Sequence, residues 1–191
     1  ELDPMLAEAY TSLGFLRSNS DWEWNEAERL FRRGSAINPG YATAHHWFAL
    51  DHLANLGRCE EAPTHIEIAR RLDPLSAIIL LSEGYLSLLE RNYDEAIRCY
   101  TRALDVLDEV STVDERVRCQ LKVSLGLAQR QSGDATFRDT LLDAGRQAAE
   151  LGEAGLVAAV AVDARGVQGA LVHFGVDHIA LGRVDRADRV A

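Results

Sequence analysis

Leu2-Asp3-Pro4, Ile37-Asn38-Pro39 and Leu72-Asp73-Pro74 are three versions of one apolar–Asx–Pro triplet, and their prolines lie 35 residues apart. Ten residues after each proline comes a small residue: Gly14, Ala49 and Gly84. Further on, Asn25-Glu26-Ala27, Glu60-Glu61-Ala62 and Asp94-Glu95-Ala96 repeat in phase. Four residues past each alanine stands a large side chain, Phe31, Ile66 or Tyr100, and seven past it a small one, Gly34, Ala69 or Ala103. Proline stops one helix and suits the first turn of the next. Small residues at fixed phase let two antiparallel helices approach closely, and the large residue fills the space beside them.

The spacing predicts paired helices at about 5–18 and 22–36, 40–56 and 59–72, and 75–90 and 93–107. The first connection is one residue longer than usual, and Ser20 or Asp21 is suited to cap the helix that follows. Trp22 and Trp24 are expected to clamp this first pair, or one ring to stand exposed as a partner contact.

This pattern resembles the tetratricopeptide repeat family, whose period is about 34 residues. The resemblance covers residues 1–108, as three repeats at about 4–38, 39–73 and 74–108. It implies an all-α fold, a right-handed α-solenoid of antiparallel helix pairs. Each pair leaves an apolar face that its neighbour must cover, so the repeats are expected to stack into a continuous core.

Residues 109–191 read as degenerate helical repeats of the same kind, truncated at the C-terminus. Ser124-Leu125-Gly126-Leu127-Ala128 puts a glycine where helices would cross, and Gly145 takes the small-residue phase of the partner helix. Ser132-Gly133-Asp134 reads as a turn, Thr136 to Leu151 as a helix, Gly152-Glu153-Ala154-Gly155 as a break and Leu156 to Phe174 as the next helix. A connector is expected at 175–184 and a starting helix over Asp185 to Ala191. The run Ser124 to Asp134, then Ala148-Ala149-Glu150-Leu151-Gly152, then Val184 to Ala191, is similar to the helical repeat region of large bacterial regulators. Those regulators combine an ATPase domain with a LuxR-type DNA-binding helix-turn-helix. Neither the phosphate loop nor the DNA-reading helices occur here, so neither activity follows. Both ends of the chain read as cut from a longer protein, and unshielded repeat ends would favour a homodimer through them.

The 191 residues include 20 basic and 30 acidic side chains, a net charge of −10, which argues against direct nucleic-acid or anionic-membrane binding. Lys122 is the sole lysine, and the arginines are scattered over acidic faces. Cys59, Cys99 and Cys119 are odd in number and lack CxxC spacing, which suits buried thiols in a reducing cytoplasm. The N-terminal residues carry no signal-peptide pattern. The apolar run Ala154 to Val162 is too short to span a bilayer.

Motifs of catalysis are missing. There is no phosphate-binding loop, nucleophile elbow or zinc-protease signature, and Gly166-Val167-Gln168-Gly169 does not follow a strand. His45 and His52 share a helix face, with Asp51 beside the latter, whereas His46 points elsewhere, so no metal or cofactor site is expected. His65, His173 and His178 offer less. Glu60-Glu61 and Asp94-Glu95 sit at helix N-termini, where negative charge offsets the macrodipole.

Surface recognition remains. The resemblance implies that the first helix of each pair lines a concave groove. The lining is expected to comprise Glu8, Thr11, Phe15, Ser18 and Asn19 in repeat one, Thr43, His46, Leu50 and Leu53 in repeat two, and Ile78, Leu81, Tyr85 and Leu88 in repeat three. The lysine and asparagine set with which some family members hold a terminal carboxylate is lacking. The groove's apolar middle suits an amphipathic helix or an extended apolar segment of a protein partner, or else the chain's own helices. The expected function is that of a non-enzymatic, cytoplasmic interaction scaffold, the sensing or coupling region of a bacterial signalling or transcriptional regulator. The alternative is an inert regulatory segment of a multidomain enzyme such as a nucleotide cyclase or ATPase.

Overall fold

The computed structural model describes residues 6–109, 114–157 and 160. Their regular structure is entirely helical: α1 Ala7–Asn19, α2 Trp24–Ile37, α3 Ala42–Trp47 running into a π-helical segment Phe48–Ala54, α4 Ala62–Leu72, α5 Ala77–Leu89, α6 Tyr93–Glu109, α7 Glu115–Ser132 and α8 Phe137–Glu150. The chain forms two compact units, Glu1–Val106 and Leu107–Ala191. The expected helix beyond Leu156 is described only at 156–157 and 160, and the connector, the final helix, His173 and His178 lie outside the described residues.

The small-against-large pairing read from the repeats sets the helix crossings. A Cβ added at Gly14 would stand 3.2 Å from the Phe31 ring, and one at Gly84 only 2.5 Å from Tyr100. The same device recurs in the second unit, where a Cβ on Gly126 would meet Leu141 at 2.7 Å. In the first unit Phe31, Phe48, Leu50, Leu53, Ile66 and Leu86 belong to one buried cluster. In the second, Val123, Leu141, Ala144 and Val160 form another.

Pro39 and Pro74 do not enter the first turn of the next helix. They lie in the connections, three residues before Ala42 and Ala77. Asn38 and Asp73, which precede them, take φ of −131° and −139°, the extended backbone that a following proline imposes. It is Pro63 that occupies the start of a helix, α4.

The repeats differ in length by one residue. Gly14 precedes Ala27 by 13 positions and Ala49 precedes Ala62 by 13, but Gly84 precedes Ala96 by 12. In repeat three the helix ends on Arg91 at φ 59°, and the Asn92 N–H closes a five-residue loop on the Ser87 carbonyl. Gly57, Gly133 and Gly152 end their helices in the same left-handed way. In repeat one the added residue sits in the turn: Trp22 takes φ 59°, and the Glu23 N–H reaches six residues back to the Arg17 carbonyl. In repeat two it is absorbed inside the helix as the π-helical turn.

The first turn therefore differs from the sequence expectation. The residue before α2 is Glu23, and no side chain caps that helix. Asp21 instead pairs with Arg17 at 2.6 Å, a bond that holds the enlarged turn closed. Trp24 packs edge-on against Trp22 and also against the His52 ring, while Trp22 itself is 69% exposed. Trp24 clamps the pair and Trp22 stands outside it.

Candidate functional site

The π-helical turn reorganises the backbone that lines the first unit. Both the Asn55 and the Leu56 N–H turn to the His52 carbonyl. The Asp51 carbonyl accepts instead from the Ser18 hydroxyl at 2.7 Å and from the Asn55 side-chain amide at 3.1 Å. A buried carbonyl without such partners would be costly, and α1 supplies one of them. Ser18 is fully buried at this junction.

The expected lining residues divide into two sets. Thr11, Ser18, His46, Leu50, Leu53 and Leu81 are buried, so the structure places them inside the helix packing and not on the expected groove surface. Thr11 bonds to the Ala7 carbonyl and sits where a Cβ on Gly34 would strike it, so it fills the α1–α2 crossing. His46 is held by Ser82 of α5 at 2.7 Å. Leu50 and Leu53 belong to the interior cluster. Glu8 is exposed, and Phe15, Asn19, Thr43, Ile78, Tyr85 and Leu88 are half-buried.

A wall of side chains between surface and core results. Phe15, Trp47, Ala54 and Tyr85, each half-buried, pack against the cluster that contains Leu50 and Leu86. Phe15 and Trp47 are in ring contact at 4.9 Å. Trp47 falls outside the phase assigned to lining residues, and no spacing in the sequence marked it.

Three groups behind this wall have the residue types of a hydrolytic triad. Ser18 Oγ lies 3.2 Å from His52 Nδ1, and His52 Nε2 lies 3.8 Å from Glu28 Oε2. The proton arrangement defeats that chemistry. Ser18 gives its one proton to the Asp51 carbonyl, so its oxygen accepts from His52 Nδ1–H and the imidazole cannot act as its base. His52 Nε2 faces Glu28 only at 3.8 Å, beyond ordinary hydrogen-bond length, and burial pushes this imidazole's pKa down. Glu28 is held at about 2, first by its hydrogen bond from Arg58 and then by Arg32. The site is a packed polar junction with no reachable nucleophile.

His45 and His65 form the second polar junction, with Nδ1 atoms 3.1 Å apart between α3 and α4. Burial pushes both pKa values down. The sequence reading placed these residues separately and missed their meeting. Among the described residues, no group of three or more His, Cys, Asp or Glu side chains is placed to hold a metal ion. Nor is any described helix long and apolar enough to cross a membrane.

No family profile matches the chain. Anaphase-promoting complex subunit 3 of Schizosaccharomyces pombe is 27% identical over 114 residues, which is 59% of this chain and 16% of that protein. The chain thus spans about a sixth of the length of this curated relative. The solved structure of a MamA RS-1 ArsTM double mutant superposes with a TM-score of 0.57 at 16% identity, covering 95% of this chain and 97% of that one. The Cut9–Hcn1 hetero-tetramer covers 98% of this chain and 41% of its own, at 17% identity and a TM-score of 0.43. The fold is all-α, built from tetratricopeptide-type helix pairs of the α-solenoid class.

Proposed function

We propose that the chain is a non-enzymatic scaffold whose first unit binds a protein partner along the half-buried aromatic wall. The observation that carries this reading is the arrangement of Phe15, Trp47 and Tyr85, which reach the surface from a rigid apolar support. Partly exposed aromatic side chains over a packed base are what anchors a partner's apolar segment. Glu8, Asn19 and Thr43 supply polar contacts around them. The partner is an amphipathic helix or an extended apolar segment of another protein. The similarity to a subunit of a multiprotein complex supports a role in assembly. The finer reading is a cytoplasmic sensing or coupling region of a bacterial signalling or transcriptional regulator, and it rests on the sequence resemblance of residues 124–134, 148–152 and 184–191.

The test begins with co-purification from the source organism's lysate and identification of what is retained. Binding of the purified partner is then measured by calorimetry. Trp47→Ala with Tyr85→Ala, folded by circular dichroism, is expected to weaken binding at least about tenfold. Equal affinity for the variant would refute the aromatic wall as the working surface.

A further inference from the structure

Four histidines, His45, His46, His52 and His65, all belong to the second repeat, and between them they occupy three contacts between helices. His45 of α3 meets His65 of α4 through their Nδ1 atoms at 3.1 Å. His46 of α3 meets Ser82 of α5. His52 in the π-helical segment meets Ser18 of α1, and its other nitrogen faces Glu28 of α2. A repeat that touches its neighbours mainly through leucine and alanine has no such dependence on protons. This one places imidazoles at three of its contacts.

With Nδ1 facing Nδ1 at this distance, two neutral imidazoles share one N–H···N bond, in which one ring donates and the other accepts. The ring centroids are 5.4 Å apart and the planes only 25° from parallel, so the two imidazoles meet edge to edge. The closed pair has room for one proton beyond neutrality, at Nε2 of the donating ring, because that proton leaves the shared N–H···N bond intact. A second proton must go to Nδ1 of the accepting ring, and it converts an acceptor into a donor aimed at another donor.

We propose that the His45–His65 junction is an acid-operated latch, by which a second proton on the pair parts α3 from α4 and opens the second repeat before the rest of the fold. The charged groups facing the pair do not relieve this conflict. Arg32 of α2 lies near His65 and disfavours its cation, while Glu61 at the start of α4 favours it. Arg32 is engaged by Glu28 at 2.6 Å and Glu61 by Arg58 at 2.7 Å. Opening exposes His46 and His52 as well, so each proton taken up after the first makes reclosure harder. The latch is independent of which partner the scaffold binds.

Native-state hydrogen exchange of the whole chain at about pH 7 and about pH 5 tests the latch, each measurement corrected for intrinsic exchange. Protection of residues 42–72 is expected to fall about a hundredfold, that of 115–150 less than about tenfold, as uptake of extra protons on opening requires. His65→Gln removes one titrating ring while keeping an amide donor, and is expected to cut the loss at residues 42–72 by about tenfold or more. Uniform loss across all helices, or the same loss in the variant, would overturn the latch. If the variant does not fold, nitrogen-15 spectra of the wild-type histidines decide. Two coupled steps, the second coinciding with lost protection in α3 and α4, support it. Two independent, ordinary titrations overturn it.

Discussion

The hydroxyl of Ser18 donates to the carbonyl of Asp51 across 2.7 Å and 33 residues of sequence, and so completes the backbone of a π-helical turn in the following repeat. Serine is the smallest side chain that can do this at a fully buried site while also accepting the His52 Nδ1–H. Ser18→Ala leaves a buried carbonyl and a buried N–H short of a partner and is expected to cost about 1–3 kcal/mol. Urea denaturation measures it, and a loss below about 0.5 kcal/mol would mean that water or relaxation replaces the hydroxyl.

Two of the crossing glycines, Gly14 and Gly84, rank differently. A methyl group at Gly84 would meet the Tyr100 ring at 2.5 Å, whereas one at Gly14 would meet Phe31 at 3.2 Å. Gly84→Ala is expected to destabilise by about 2–3 kcal/mol through overpacking, and Gly14→Ala by less. Thermal or urea unfolding of the two variants side by side checks the order. Pairing Gly84→Ala with Tyr100→Leu should recover part of the loss.

Stability should depend on acid through His46. Burial holds this imidazole at about 4 against an ordinary 6.5. The unfolded chain thus binds the proton more tightly. The stabilisation is fully present above pH 6.5 and is lost progressively as pH falls toward 4, a change of about 3 kcal/mol. Glu28, held at about 2, contributes stability that is present above 4.5 and lost as pH falls further. Denaturation of wild type and His46→Leu over this range should show their stabilities converging as pH falls. A gap independent of pH would contradict the assignment.

Arg91 occupies the left-handed position that glycine holds at the equivalent helix ends Gly57 and Gly133. It is exposed. Arg91→Gly should therefore stabilise by up to about 1 kcal/mol, and Gly133→Ala should destabilise by a similar amount. Opposite signs in one denaturation series are the expected result.

The three thiols should react unequally. Burial pushes Cys99 up to about 12 and Cys119 up to about 11, and both are interior, whereas Cys59 is half-buried. A disulfide reagent at about pH 8 is expected to modify Cys59 in the native chain and the other two only after unfolding. Fast modification of Cys99 in the native state would contradict its packing.

Much of the fold was legible because steric rules repeat. Gly14 with Phe31, Gly84 with Tyr100 and Gly126 with Leu141 meet as the phase of small and large residues required. The candidate site was legible in part. Helical phase identifies the side of a helix, but it does not say how deeply the next helix covers that side. Leu50 and Leu53 carry the right phase and lie inside, while Phe15 and Tyr85 carry it and reach the surface. Trp47 and the His45–His65 pair were hidden for a related reason. A one-residue insertion can settle in a turn, as at Trp22, or within a helix, as at Phe48–Ala54, and the sequence records only its presence.

That insertion has a consequence for modularity. Repeats of this kind look like interchangeable cassettes, yet the first and second are tailored to each other in one direction. Repeat two presents the Asp51 carbonyl and the His52 ring to a neighbour, and the Ser18 hydroxyl meets both. The equivalent place in repeat three, Leu88, holds a leucine. Shuffling the order of the repeats would therefore preserve every apolar–Asx–Pro boundary and still take the buried hydroxyl away from the Asp51 carbonyl and the His52 ring, so the succession of repeats is itself part of the information the chain carries.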